Sequence, residues 1–404
     1  MQGLKRFLLE DKNTHLEHLE DEIINNGTQG AKTSIEFLKS IKKMLQGGKG
    51  GSNVSVKWDG APAIFAGTNP ENGRFFVGTK SIFNATPKIN YTVSDISRNH
   101  GGALADKLAV ALKHLPSLGI KGVLQGDLLF TDDKKNAVVN GERSIIFTPN
   151  TITYAVPTTS VDMYNRIRAA KIGIIFHTSY SGKTMRGLKA SFGASVSGLR
   201  QNKNVFFDDA RYKQAQDPGF SKGEEKRFDA IIRMAEGSAY KAGAFIDKIK
   251  KDQGPLSLGV QLKTFFNTFI RSGTKIGNSK VLANNFEVFF RDRLKKEIDG
   301  KKQEKTKEKY KEILEAGMKI LRPNRQGLYF AIATYITLQT AKSLLLSKLN
   351  KIQSIGSFMR TSTGYRATSP EGYVAINKGN AVKLVDRLVF SQANFNVAKD
   401  WVRG

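Results

Sequence analysis

Lys57 closes an alternating run, Val54-Ser55-Val56-Lys57, and is followed by Trp58-Asp59-Gly60. Such a run reads as a β-strand entering a turn. Lysine is nucleophilic only as the free amine, which nearby positive charge or partial desolvation favours, so a lysine at a strand edge can do covalent chemistry. Two carboxylates lie in comparable settings: Asp127 within Val123-Leu124-Gln125-Gly126-Asp127-Leu128-Leu129-Phe130, and Glu371 within Pro370-Glu371-Gly372-Tyr373-Val374. Carboxylate oxygens suit a hard cation such as Mg²⁺, which keeps several waters, and Glu371 is the leading metal candidate. A further lysine, Lys383, sits in Ala381-Val382-Lys383-Leu384-Val385. Other chemistries have less behind them. His15 and His18 flank Glu17 in a His-x-x-His spacing, which reads as a solvated or packed helix face and not as a zinc motif. The glycine-rich 47–52 stretch lacks the Ser or Thr of a phosphate-binding loop after Lys49 and reads as a linker. The chain has no cysteine, so thiolate metal sites, disulfides and cysteine nucleophiles are excluded.

In this order, the patches around Lys57, Asp127 and Glu371–Lys383 resemble motifs I, III, IV and V of the covalent nucleotidyltransferases. That superfamily comprises ATP-dependent DNA ligases, RNA ligases and RNA-capping guanylyltransferases. The resemblance spans roughly residues 53–180 and 365–390. It implies that Lys57 attacks the α-phosphate of ATP to give lysyl-AMP and pyrophosphate. It implies that Val56, Asp59 and Gly60 border the nucleotide, Asp59 and Gly60 shaping the turn and touching the sugar. Asp127, where the superfamily usually has Glu, would bind ribose or Mg²⁺, and Glu371 would organise Mg²⁺. Lys383 would contact the α-phosphate and neutralise charge in the transition state. Phe176, in Gly173-Ile174-Ile175-Phe176-His177, resembles the purine-stacking aromatic of motif IIIa, with His177 where Asp is typical. Lys80, with Arg74 behind it, takes the basic position on the next strands. Val385 stands where motif V often has a second lysine, and Lys378 is the nearest substitute. Pro62 stands where DNA ligases commonly have arginine; with Asp127 it brings the chain nearest to phage-type RNA ligases. The implied function is an ATP- and Mg²⁺-dependent polynucleotide ligase, RNA favoured, joining 5′-phosphate to 3′-hydroxyl ends. The alternatives are an ATP-dependent DNA ligase, a GTP-using capping enzyme, and a catalytically degenerate nucleotidyltransferase serving as a nucleic-acid-binding or structural protein.

Charge points to the same class of partner. Lys+Arg 64 against Asp+Glu 36 leave +28 over 404 residues. Such an excess favours a polyanion, because each neutralised phosphate releases counterions. From Met163 to Phe207 it concentrates in Arg166, Arg168, Lys171, Lys183, Arg186, Lys189, Arg200 and Lys203, with Tyr180, Phe192, Phe206 and Phe207 among them. Lys183, Arg186, Lys189, Arg200 and Lys203 are the nucleic-acid candidates, and stacking aromatics among cations are what single strands need. The most apolar run, roughly 328–341, contains Gln339 and is followed by Lys342, so it reads as a buried helix rather than a membrane span. A monomer without membrane attachment is expected, in a reducing cytoplasm or, for a phage protein, that of its host.

The elements that must position these residues fall into four stretches. Residues 1–50 form an N-terminal helical segment: Thr14 and Glu17 give a capping-box pattern, Gly27 a stop, and a second helix runs over 31–45. Residues 51–220 are mainly short β-branched or aromatic runs, at 63–66, 74–79, 122–130, 144–147, 151–156 and 172–177, with one helix over 103–115. Residues 221–350 carry helical periods, at 222–240, 260–271, 280–298, 301–321 and 328–349. Residues 351–404 return to strand character, over 364–376 and 381–390. The expected fold is α+β: an antiparallel-sheet nucleotidyltransferase core of the ATP-grasp-like ligase kind, split by a large helical insertion.

Overall fold

A computed structural model describes residues 17–46, 52–139, 141–210, 219–250, 254–350, 356–361, 364–367, 372–377 and 380–388. After a 3-10 turn at Leu19–Asp21 come α1 (Glu22–Leu45), β1 (Ser52–Lys57), β2 (Ala63–Thr68), β3 (Phe75–Gly78), α2 (Val93–Asn99) and α3 (Gly102–His114). Then follow β4 (Val123–Phe130), β5 (Lys135–Val139), β6 (Glu142–Phe147), β7 (Ile152–Pro157), α4 (Val161–Ala169), β8 (Ile172–Ser181), β9 (Lys189–Phe192) and β10 (Val205–Asp209). The helical stretch contains α5 (Lys222–Ile249), α6 (Leu258–Arg271), α7 (Ser279–Asp299), α8 (Glu304–Leu321) and α9 (Arg325–Leu349). It gives way to β11 (Gly356–Thr361), β12 (Gly364–Ala367), β13 (Gly372–Asn377) and β14 (Asn380–Val385). The class is α+β.

Three sheets organise the β part, in the orders β1-β13-β14, β10-β8-β4-β2-β3 with β9 also on β8, and β12-β11-β7-β6-β5. Their pairings are antiparallel except β10 on β8, which is parallel. Alternation along β2, β4 and β8 puts Ile64, Leu124, Leu128, Ile174 and Phe176 on one face, against Leu108 and Ala111 of α3. Between this sheet and the five-stranded one lies a second core, built from Phe130, Phe147, Ile152, Tyr154 and Phe206.

The largest core crosses the boundaries expected from the sequence. Leu38 and Ile41 of α1 and Phe245, Phe286 and Tyr335 of the later helices share it with Val54, Tyr373, Val382 and Leu384 of the three-stranded sheet. The 1–50 segment, set apart in the sequence reading, thus contributes a helix to the same body as α5 and α9, and the small sheet is built onto that body.

Local signals explain most boundaries. Ser221 and Glu224 form a capping box at the start of α5, Ser221 Oγ accepting the Glu224 N–H at 3.2 Å and Glu224 Oε2 accepting the Ser221 N–H at 2.8 Å. Gly27, expected to stop a helix, instead kinks α1 with φ 61°. A Cβ there would lie 2.2 Å from Asp247 Oδ1. That carboxylate takes the Thr28 N–H at 3.0 Å and the Thr28 hydroxyl at 2.7 Å, replacing acceptors lost at the kink. The 14–17 capping pattern and the 47–52 linker fall largely outside the described residues, Ser52 being the first residue of β1. No helix among the described residues is long and apolar enough to cross a membrane, and the 328–341 run is part of α9, with Leu328, Ile332, Tyr335 and Leu338 buried.

Candidate active site

The two lysines of interest share a face of the three-stranded sheet. Ser55 pairs with Val374 and Val374 with Lys383, so the three form one cross-strand row. Lys57 lies two residues beyond Ser55, and hence on the same face. Opposite Lys57 stands Gly372, which leaves that position without a side chain; a Cβ there would meet the Leu384 carbonyl oxygen at 2.5 Å. Glu371, the neighbour of Gly372, lies outside the described residues, as does Lys378.

The six-stranded sheet supplies the facing wall. On β4, Gln125 and Asp127 point the same way because they are two residues apart. On β8 the register slips by one: Gln125 pairs with Thr178 but Gly126 with Phe176, leaving His177 as the bulged residue. The bulge brings Ile175, His177, Thr178 and Tyr180 all to the cavity. His177 Nε2 lies 3.6 Å from Asp127 Oδ1, and its Nδ1 is 2.8 Å from Thr178 Oγ1. The Tyr180 hydroxyl donates to Gln125 Oε1 at 2.8 Å, and burial pushes the phenol up to about 12, which keeps it a donor. Phe65, Phe83 and Tyr180 form an aromatic group with ring centroids 5.4–5.6 Å apart.

Between the two walls is a cavity of about 330 Å³. Val56, Lys57, Lys80, Asp127 and Lys383, all candidates from the sequence, line it. Asp127 is the one carboxylate among its described lining residues. Lys80, itself exposed, reaches it from a 3-10 turn, Lys80–Phe83, which also brings Phe83. Tyr180 and Phe192, read from the sequence as aromatics of the basic stretch, and His177, noted beside Phe176, join them, and Gln125 does so without having been singled out. The period-two pattern of β4 makes Gln125 recoverable beside Asp127, but no local signal marks the bulge.

Three expectations are corrected. Phe176 is fully buried against α3, on the face opposite His177, so it cannot stack on a ligand in this cavity. Asp59 does not line the cavity; it is 3 % exposed. Its carboxylate accepts the Asn150 side-chain amide, the Thr151 hydroxyl and the Thr151 and Ile152 N–H groups, each at 2.7 Å. It ties the end of β1 to the start of β7. Gly60 does not line the cavity either, and acts through close approach: a Cβ there would lie 2.6 Å from the Asp127 Cβ and 2.9 Å from the Leu128 carbonyl oxygen.

The acid-poor stretch divides. Lys183, Arg186 and Lys189 are exposed on the β8–β9 hairpin, whose Ala190 and Phe192 line the cavity. Arg200 and Lys203, also exposed, lie elsewhere, the Arg200 N–H bonding to the Leu118 carbonyl oxygen at 3.0 Å. The aromatics among them are not surface platforms. Tyr180, Phe206 and Phe207 are buried, and the Arg166 guanidinium packs over the Phe206 ring at 5.2 Å.

Behind Lys383 runs a buried charged network. The Lys383 N–H donates to the Glu17 carbonyl oxygen at 2.9 Å, fastening β14 to the N-terminal segment. Glu20 pairs with Lys342 at 2.7 Å, and Asp21 with Arg387 at 3.2 Å. Burial alone would raise the Glu20 carboxyl, but Lys342, His18 and Arg387 outweigh it and hold it at about 2.

A family model described as a family of unknown function (DUF6267) matches residues 13–399, and the chain belongs to that family. No curated protein and no solved structure matches it.

Proposed function

We propose that this member of the family is an ATP-dependent nucleotidyltransferase that joins polynucleotide ends, RNA in preference to DNA, through a lysyl-AMP intermediate. The observation that carries this reading is convergence: Lys57, Lys80, Asp127 and Lys383, from four separate stretches of chain, line one cavity beside an aromatic group. A nucleoside triphosphate has the matching duality of an aromatic base and a polyanionic tail. About 330 Å³ lies at the lower end of the range for small-molecule sites.

In the first step the Lys57 amine attacks the α-phosphorus. An N–P bond forms as the bond to the pyrophosphate oxygen breaks, and the amine gives up a proton. Next, a 5′-phosphate oxygen of the polynucleotide attacks the same phosphorus, the N–P bond breaks, and Lys57 regains its proton. A 3′-hydroxyl then attacks the activated 5′-phosphate: the phosphodiester O–P bond forms, the pyrophosphate P–O bond breaks to release AMP, and the hydroxyl proton passes to solvent. Lys80 and Lys383 hold phosphate oxygens and offset charge that builds in each transition state. Phe65, Phe83 and Tyr180 give the base an apolar wall. Mg²⁺ commonly binds through one or two carboxylates plus substrate phosphates. Asp127 fits that donor set, and the ion would supply further charge neutralisation when bound.

The degenerate reading has its own support, since Asp59 and Phe176 are committed to the interior. One experiment separates the two. Purified protein is incubated with Mg²⁺ and α-labelled ATP, with GTP in parallel. An acid-stable label that is absent from Lys57→Ala supports the enzyme. No label on folded wild type with either nucleotide rejects it, and label persisting in Lys57→Ala moves the nucleophile elsewhere.

A further inference from the structure

A second cavity, of about 490 Å³, opens at the end of β14, between α5, α6, α9 and residues Val385–Leu388. Among its described lining residues the charged ones are Arg227, Lys275, Lys342, Arg387 and a single carboxylate, Asp386. Lys342 and Arg387 are held from behind by Glu20 and Asp21, which do not line the cavity. Arg227 and Lys275 are exposed and have no ion-pair partner among the described residues. Thr340, Ser343 and Ser347 also line it, their hydroxyls donating to the carbonyl oxygens of Ile336, Gln339 and Leu344 in the same helix.

Arg387 is the informative residue. It is 8 % exposed. Its Nη1 donates to Asp21 and Tyr335 and its Nη2 to Asn267, while its Nε has no partner. A buried guanidinium N–H without an acceptor is uncommon in a folded protein, and this one belongs to a side chain that borders the cavity. Phosphate oxygens match guanidinium and ammonium donors gathered in one cavity.

We infer that this cavity is a phosphate subsite for a single-stranded polynucleotide, placed so that a strand engaged there reaches the Lys57 cavity. Lys383 lines the first cavity and Arg387 the second, and four residues of chain span at most roughly 14 Å. A short oligonucleotide covers that distance. The inference rests on the proposed function only in taking the anion to be a polynucleotide.

The test uses the full chain and a short 5′-phosphorylated single-stranded RNA, with affinity measured by fluorescence anisotropy over a salt series. Lys57 labelling by α-labelled ATP is followed in parallel. Arg227→Ala/Lys275→Ala changes only exposed side chains. It should weaken RNA binding and lower the salt slope by roughly 0.7 log units per lost contact, with labelling retained. Unchanged affinity and slope overturn the inference and leave the nucleotidyltransferase reading intact. An equal loss in Lys305→Ala/Lys309→Ala, exposed on α8, overturns it too, by reducing the effect to bulk charge. Displacement of the RNA by inorganic phosphate at modest concentration names a free anion as the occupant and overturns it as well. A binding difference that survives when wild type takes no label supports the strand site and removes the catalytic reading.

Discussion

Asp59 shows how one residue type in one motif can do either of two things. A carboxylate after a candidate nucleophile looks like a ligand contact, yet here its oxygens serve four donors in the protein. Asp59→Ala leaves the Thr151 and Ile152 N–H groups without their acceptor, at ~1–3 kcal/mol each if both remain dry. The expected result is a lower urea midpoint with an unchanged m-value, and Asp59→Asn should lose less. If Asp59→Ala were as stable as wild type but failed to take label, its role would be at the nucleotide after all. Lys57 carries the complementary expectation: Lys57→Ala should fold normally and take no label.

Among the elements, the turn between β1 and β2 is tightly constrained. Gly60 passes so close to β4 that any side chain must push the turn away from Asp127. A displacement of about 1 Å between reacting groups costs on the order of 10²-fold in rate. Gly60→Ala should therefore slow labelling of Lys57 by roughly that factor, and by more than its loss of stability accounts for. Pre-steady-state labelling beside urea unfolding makes the comparison. The helices impose a different constraint. Helices α5 and α9 share a core with the sheet that bears Lys57 and Lys383. Replacing 222–349 by a short Gly/Ser linker is expected to unfold the chain and abolish labelling, because Val54, Tyr373 and Leu384 would lose their apolar cover. A soluble, cooperatively folding deletion that still takes label would show that the helical stretch is dispensable to the site.

For the molecule as a whole, the buried pair Glu20–Lys342 makes stability depend on acidity. The Glu20 carboxyl is depressed from an ordinary 4.5 to about 2, so its contribution is present above pH 4.5 and is lost as pH falls through 2. The size is roughly 3 kcal/mol. Asp21 acts in the other direction: burial lifts it to about 6 against the pull of Arg387, so its contribution declines as pH rises from 3.8 through 6. In Glu20→Gln/Lys342→Met, which keeps Asp21, the decline between pH 4.5 and 2 should be shallower than in wild type. Urea unfolding across that range measures it, and parallel curves would show that the pair carries no such linkage.

Much of this architecture is legible in the sequence. The β-branched runs at 63–66, 122–130 and 172–177 and the helical periods at 260–271 and 280–298 lie within observed elements or within two residues of their ends. Strand and helix preferences act over a few residues, so the chain carries them locally. Alternation along β4 likewise aligned Gln125 with Asp127. What only the tertiary structure decided depends on partners distant in sequence. Phe176 faces inward because its register opposite Gly126 sets it under α3, and the neighbours His177 and Thr178 both reach the cavity because β4 meets β8 through a bulge. Asp59 is a structural tie because residues 150–152 bring it donors. Lys57 and Lys383 share a face because β13 lies between their strands in one register, and a slip by a single residue would have turned one of them away.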